Sequence, residues 1–151
     1  MQTVRDIIEA KAKSNNFITP DIMVIDALKK LLEVNLSYLV VIDDGAFKGI
    51  FSERDYTRKL VLQGRSSRET TVGQVMTTDL PVVSLTETVE ECMYRMNGHG
   101  TRYLLALDDN KFAGIITIHD LLRQVIATKG EVFNNSLARE LLDNDESGLV
   151  Y

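Results

Sequence analysis

With 151 residues, 44% of them hydrophobic, the chain has enough apolar material for one compact domain or for two small ones sharing a core. Its net charge of -5 at pH 7 argues against a surface that tracks a nucleic-acid backbone, which needs clustered, unbalanced Lys and Arg, so an anionic ligand would be held by a local cluster. One cysteine and two histidines exclude an internal disulfide and any recognisable zinc spacing, which fits a reducing compartment.

Residues 1–16 read as a helical lead-in. Arg5, Asp6, Glu9 and Lys11 interrupt its apolar residues, so it lacks the core of a signal peptide, and no stretch of the chain approaches membrane-spanning length. A cytoplasmic protein without membrane attachment is expected. From residue 17 the chain repeats itself: shifted by 65 positions, 17–62 aligns without a gap onto 82–127. The identities are Val24/Val89, Tyr38/Tyr103, Leu39/Leu104, Asp43/Asp108, Asp44/Asp109, Phe47/Phe112, Gly49/Gly114, Ile50/Ile115, Asp55/Asp120 and Arg58/Arg123. All but the first lie between Tyr38 and Arg58, so one half of the unit is held to a tighter pattern. A weaker echo links the lead-in Thr3-Val4-Arg5-Asp6-Ile7-Ile8 with Thr71-Val72-Gly73-Gln74-Val75-Met76.

Each unit opens with a short extended piece, Phe17-Ile18-Thr19 or Val82-Val83-Ser84. A helix follows. In the first unit Asp21 is the expected cap and Val24, Ala27, Leu28, Leu31 and Leu32 recur at helical spacing; in the second, Thr86 or Thr88 caps a stripe of Val89, Cys92, Met93 and Met96. Two strands come next, Tyr38 to Ile42 with Phe47 to Ser52, and Tyr103 to Leu107 with Phe112 to Thr117. Asp43-Asp44-Gly45 and Asp108-Asp109-Asn110 join them as hairpin turns, because Gly and Asn tolerate positive φ. The strands are nearly continuous apolar runs, which predicts sheets covered on both faces. A last helix runs over Glu53 to Leu62 and Ile118 to Ala127. The resulting organisation is a lead-in (1–16), a first repeat (17–65), a linker (66–81), a second repeat (82–128), and a C-terminal helix from about Glu131 to Leu142 with its tail (129–151). The fold class is α/β in the α+β sense: two pseudo-symmetric β-α-β-β-α repeats packed as one module, since each alone is near the lower limit for an adequate core.

Gly49-Ile50-Phe51-Ser52-Glu53-Arg54-Asp55 and Gly114-Ile115-Ile116-Thr117-Ile118-His119-Asp120 each close a strand and open a helix. A hydroxyl followed three residues later by an acid resembles a capping box, and for either copy alone that is the plainer reading. The same geometry suits a nucleotide. A helix N-terminus offers unpaired N–H groups to phosphate, a hydroxyl donates to a phosphate oxygen, and an acceptor-only carboxylate takes hydrogen bonds from both hydroxyls of a ribose.

Two units of strand, helix, two strands and helix, each ending Gly-apolar-apolar-Ser/Thr-x-x-Asp, together resemble a tandem pair of CBS domains. The resemblance covers nearly the whole chain, and Thr71 to Thr77 is similar to the segment that precedes a second CBS unit. It implies a stand-alone regulatory module that binds AMP, ADP, ATP, NAD(H) or S-adenosylmethionine in two clefts and forms a homodimer. By resemblance, one cleft would use Ser52, Arg54 and Asp55 with Leu80, Pro81 and Arg102. The other would use Thr117, His119 and Asp120 with Asn16, Phe17 and Ser37. Asp55 and Asp120 would hold ribose, while Ser52, Thr117, Arg54, Arg102 and His119 would hold phosphate. Leu80, Pro81, Asn16 and Phe17 would surround the base. Tyr38 and Tyr103 fill places often taken by smaller residues, which bears on the room for adenine.

Arg58 and Lys59 either extend phosphate binding from Asp55 or form a solvated helix face. His99, in Asn97-Gly98-His99-Gly100, and Cys92, on an apolar stripe, read as structural. No Gly-rich phosphate loop, nucleophile elbow or His-Glu-x-x-His pair is present in the sequence, so no enzyme activity, catalytic cofactor or metal is expected. Energy or redox sensing through a bound adenine nucleotide, read by an unidentified downstream protein partner, is the expected function. The alternative is a dimerisation scaffold in which the Ser/Thr-x-x-Asp pairs are caps and nothing more.

Overall fold

The computed structural model describes residues 2–13 and 15–128; the helix expected over 131–142 and the tail to Tyr151 lie outside the described residues. In chain order the elements are α1 (Val4–Ala10), β1 (Phe17–Ile18), α2 (Val24–Val34), β2 (Tyr38–Asp43), β3 (Ala46–Ser52), α3 (Glu53–Asp55), which runs on as a π-helical turn over Tyr56–Val61, α4 (Val72–Val75), β4 (Val82–Ser84), α5 (Val89–His99), β5 (Tyr103–Asp108), β6 (Lys111–Thr117) and α6 (Ile118–Thr128). This is a mixed α+β fold with two three-stranded sheets, ordered β1-β2-β3 and β4-β5-β6. In each sheet the short first strand pairs parallel with the second, and the second pairs antiparallel with the third.

The chain divides into two compact units, neither matching one contiguous repeat. One covers Lys13–Asp79; the other begins at Leu80 and takes in the segment up to Ala12. α1 therefore belongs with the second repeat and α4 with the first. Both short helices carry their apolar residues on one side. Val72 and Val75 join a core with Val24, Ala27, Leu31, Leu39, Val41, Phe51 and Leu60. Val4 and Ile7 join one with Val83, Leu85, Cys92, Met96, Leu104, Ala106, Ile116 and Leu121. Full burial of each large aliphatic or aromatic side chain contributes roughly 1.5–3 kcal/mol.

In the first-repeat unit, α2 starts without the expected Asp21 cap. Met23 takes the extended cap conformation, and Asp21 instead accepts a hydrogen bond from the Thr19 hydroxyl. The open amides at the helix start are satisfied from the 66–81 segment: Val24 N–H donates to the Thr70 carbonyl at 2.8 Å and Ile25 N–H to the Ser67 carbonyl at 2.9 Å. Leu32 departs from the expected apolar stripe, remaining 79% exposed, because it is turned about 100° from Leu31 along the helix. The helix ends at Asn35 in the left-handed conformation.

In the second-repeat unit the cap of α5 is Thr88, whose hydroxyl accepts from Glu91 N–H at 3.2 Å while Glu91 accepts from Thr88 N–H at 2.9 Å. α1 is anchored there by Val4 N–H to the Glu87 carbonyl and Arg5 N–H to the Leu85 carbonyl. Both hairpins turn on two consecutive left-handed residues, Asp44 and Gly45 in one, Asp109 and Asn110 in the other, as a type I′ connection requires. Both strand pairs shift register at the same place in the repeat, between Val41 and Ile42 and between Ala106 and Leu107.

Candidate functional site

Each motif begins where a strand gives way to a helix, and the backbone around it repeats at the same 65-residue interval. Val40 N–H donates to the Asn16 carbonyl at 2.8 Å, as Leu105 N–H does to Pro81 at 2.9 Å. Glu53 N–H donates to the Ser37 carbonyl at 3.1 Å, as Ile118 N–H does to Arg102 at 3.0 Å. Each unit thus places a leading-strand residue, a hairpin-strand residue and a hydroxyl–acid pair around one strand end. Ser52, Arg54 and Asp55 lie in one unit with Asn16, Phe17 and Ser37, while Leu80, Pro81 and Arg102, the residues expected to share their cleft, lie in the other unit with Thr117, His119 and Asp120. Ser52, Asp55, Thr117, Asp120, Asn16 and Leu80 are buried; Arg54, His119, Ser37 and Pro81 are half-buried; Arg102 is exposed. Phe17 and Val82, the first residues of β1 and β4, leave apolar surface open at equivalent positions.

Both hydroxyl–acid pairs adopt capping geometry. Asp55 Oδ2 accepts from Ser52 N–H at 2.9 Å and from the Ser52 hydroxyl at 3.2 Å, and Asp55 N–H donates to Ser52 Oγ at 3.3 Å. Asp120 Oδ2 accepts from Thr117 N–H at 2.8 Å, and Asp120 N–H donates to Thr117 Oγ1 at 3.2 Å. A buried carboxylate persists only with donors or cations around it, and each finds them outside the motif. Asp55 Oδ1 accepts from the Thr77 hydroxyl at 2.7 Å and pairs with Lys59 Nζ at 2.9 Å. Asp120 Oδ2 pairs with Lys11 Nζ at 2.9 Å, and the same ammonium donates to the Ile115 carbonyl at 2.9 Å.

Lys11 and Thr77 are the residues that sequence reasoning passed over. Both lie outside the aligned repeat, just past α1 and α4, and no local pattern connects Lys11 to Asp120 across 109 positions. Lys59 carries a readable signal, its i,i+4 spacing from Asp55 on one helix face. Its ammonium also donates to the Thr77 hydroxyl at 3.1 Å. That arrangement makes it a partly exposed counter-ion to Asp55. Among the described residues no group of three or more His, Cys, Asp or Glu could hold a metal ion, and no helix is long and apolar enough to cross a membrane.

The paired architecture has close counterparts. A CBS-domain protein from Burkholderia ambifaria superposes with a TM-score of 0.77 at 40% identity, covering 83% of this chain and 95% of that one. One from Agrobacterium tumefaciens superposes at 0.73 with 29% identity, covering 80% and 91%. In sequence, the chain is 36% identical over 133 residues to a mitochondrial CBS domain-containing protein of Arabidopsis thaliana, aligning 82% of itself with 65% of that longer protein. The sequence profile of the CBS domain matches twice, at residues 4–62 and 72–127, each match taking in one lead-in helix, one three-stranded sheet and one hydroxyl–acid motif. With both repeats accounted for in sequence and in fold, the chain belongs to the CBS domain family.

Proposed function

We propose that this chain is a regulatory module that binds an adenine nucleotide, AMP, ADP, ATP or NAD, and acts by binding rather than by catalysing a reaction. The observation that carries the reading is the pair of buried hydroxyl–acid motifs at strand ends, each beside an apolar leading strand with surface left open at Phe17 or Val82. A hydroxyl-rich, anionic, partly apolar ligand matches that mixture. Asp55 and Asp120 are the candidates for ribose hydroxyls. Ser52, Thr117, Arg54, Arg102 and His119 are the candidates for phosphate, and Asn16, Phe17, Leu80 and Pro81 for the base. A homodimer is the assembly we infer for the chain. The setting we infer is the cytoplasm, where a protein partner reads the bound state.

The test is a thermal-shift series on ligand-stripped protein with AMP, ADP, ATP, NAD, NADH and S-adenosylmethionine. The expected result is stabilisation that grows with ligand concentration and is lost in Asp55→Ala or Asp120→Ala. A folded protein that none of these stabilises at millimolar concentration would instead support the scaffold reading. A specific observation favours that second reading in part: both motifs already act as internal helix caps.

A further inference from the structure

We infer that the last turn of α1 is a two-state element: in one setting it is helical and presents Lys11 to Asp120, and in the other it is extended, with Glu9 paired to Ile115 as Thr77 is paired to Ile50. The inference stands apart from the nucleotide reading. The molecule itself supplies the template for the extended setting. Both lead-in helices open on the same kind of cap, Thr3 with Asp6 and Thr71 with Gln74. Both also bring the residue that ends the echo to the same glycine: a Cβ on Gly114 would stand 3.5 Å from Ile8, and one on Gly49 would stand 3.5 Å from Met76. Beyond that point they part. Met76 is already extended, and Thr77 pairs with Ile50 through both backbone bonds, at 2.8 and 2.9 Å. α1 continues to Ala10, so Glu9, the residue that answers to Thr77, remains helical and exposed.

The difference leaves a mark on β6. The Ile115 carbonyl accepts from Lys11 Nζ at 2.9 Å, but the Ile115 N–H finds no acceptor among the described residues, although Ile115 is only 3% exposed. Its counterpart, the Ile50 N–H, donates to the Thr77 carbonyl at 2.9 Å. Buried amides without an acceptor are rare and costly, and the extended setting satisfies this one by supplying the Glu9 carbonyl. The helix end offers little resistance. Its last turn holds Glu9 and no basic residue, where the dipole favours cations, and it lacks the left-handed cap that closes α2 at Asn35 and α5 at Gly100. What holds the helical setting is charge. Unwinding takes Lys11 from Asp120 and brings the Glu9 side chain to the place that Thr77 fills beside Asp55, carboxylate against carboxylate. The turn therefore decides whether the second motif has an ammonium or a second carboxylate beside it.

Amide hydrogen exchange followed by NMR on the full chain compares the wild type with Glu9→Thr and with Glu9→Thr/Lys11→Met, which give the lead-in the hydroxyl found at Thr77 and then remove the ammonium. In the wild type the Ile115 amide is expected to exchange about tenfold or more faster than the Ile50 amide. In the double variant that gap closes to about threefold or less, while the amides at positions 10 and 11 lose protection. Glu9→Thr alone, at an exposed position that leaves the fold intact, moves the gap in the same direction and decides the matter if the double variant does not fold. An Ile115 amide as slow as that of Ile50 in the wild type overturns the inference, as does a gap unchanged in the folded variants. Neither outcome bears on nucleotide binding, which the thermal-shift series tests separately.

Discussion

In the first-repeat unit, the carbonyl of Ile50 and the carboxylate of Asp55 are both satisfied by Thr77, through its amide at 2.8 Å and its hydroxyl at 2.7 Å. In the second-repeat unit, the equivalent carbonyl of Ile115 and carboxylate of Asp120 are both satisfied by one ammonium, Lys11 Nζ. A strand-like backbone contact in one place is thus a long side chain in the other. The consequence reaches the glycines. A Cβ on Gly49 would stand 2.4 Å from the Thr77 carbonyl oxygen, whereas one on Gly114 would meet the Ile8 side chain at 3.5 Å, an ordinary contact. Identical residues in the aligned repeats are therefore held by different forces, and what sets the chemistry of each motif is the lead-in segment packed against it.

The largest separation between the repeats is expected at the carboxylates. Asp55→Ala leaves the Ser52 amide, the Thr77 hydroxyl and Lys59 without their acceptor, and lowers unfolding stability by about 3 kcal/mol, against about 2 kcal/mol for Asp120→Ala. Urea denaturation of the two variants checks this, and equal losses would break the comparison. The glycines come next. Gly49→Ala displaces the Thr77 backbone and costs about 1–3 kcal/mol, while Gly114→Ala is neutral or stabilising by about 0.5 kcal/mol, because a strand glycine gains from a side chain that fits.

A smaller effect is expected at the lysines. Lys11→Met costs about 1 kcal/mol and Lys59→Met about 0.5 kcal/mol, since Lys59 is the more exposed and Thr77 stays in place beside Asp55. Amide hydrogen exchange sharpens the point: Lys11→Met speeds exchange in α1, and Lys59→Met leaves α4 unchanged. The last comparison, confined to alkaline pH, is at Cys92, whose counterpart in the first repeat is the equally buried Ala27. Burial, reinforced by the nearby Glu87 carboxylate, pushes its thiol from 9.0 up to about 11. A folded pKa above the unfolded one favours the neutral form, so this contribution to stability is complete below pH 9 and is lost as pH rises toward 11. Stability between those limits should fall more steeply in the wild type than in Cys92→Ala, and parallel slopes would remove the thiol as the cause.

Much of this architecture is legible along the chain. Tyr38 to Ser52 and Tyr103 to Thr117 announce hairpins through apolar runs around Asp-Gly and Asp-Asn, because strand formation and type I′ turns depend on residues near in sequence. Thr88 announces its helix for the same reason, with Glu91 three residues on. The start of α2 does not, since its donors find the Ser67 and Thr70 carbonyls rather than a local side chain. The hydroxyl–acid pairs are equally local and could be recognised in both copies, but their surroundings could not.

By itself the sequence determined the repeat, its order of elements and the capping geometry of Ser52–Asp55 and Thr117–Asp120, all of which rest on short-range hydrogen bonding and the period of apolar residues. Only the tertiary structure decided that α1 completes the second repeat and α4 the first, and that Lys11 and Thr77 fill corresponding roles beside Asp120 and Asp55. The reason is physical: a short helix with one apolar side carries no mark of which core will bury it, and a buried carboxylate accepts whichever donor the fold brings within reach.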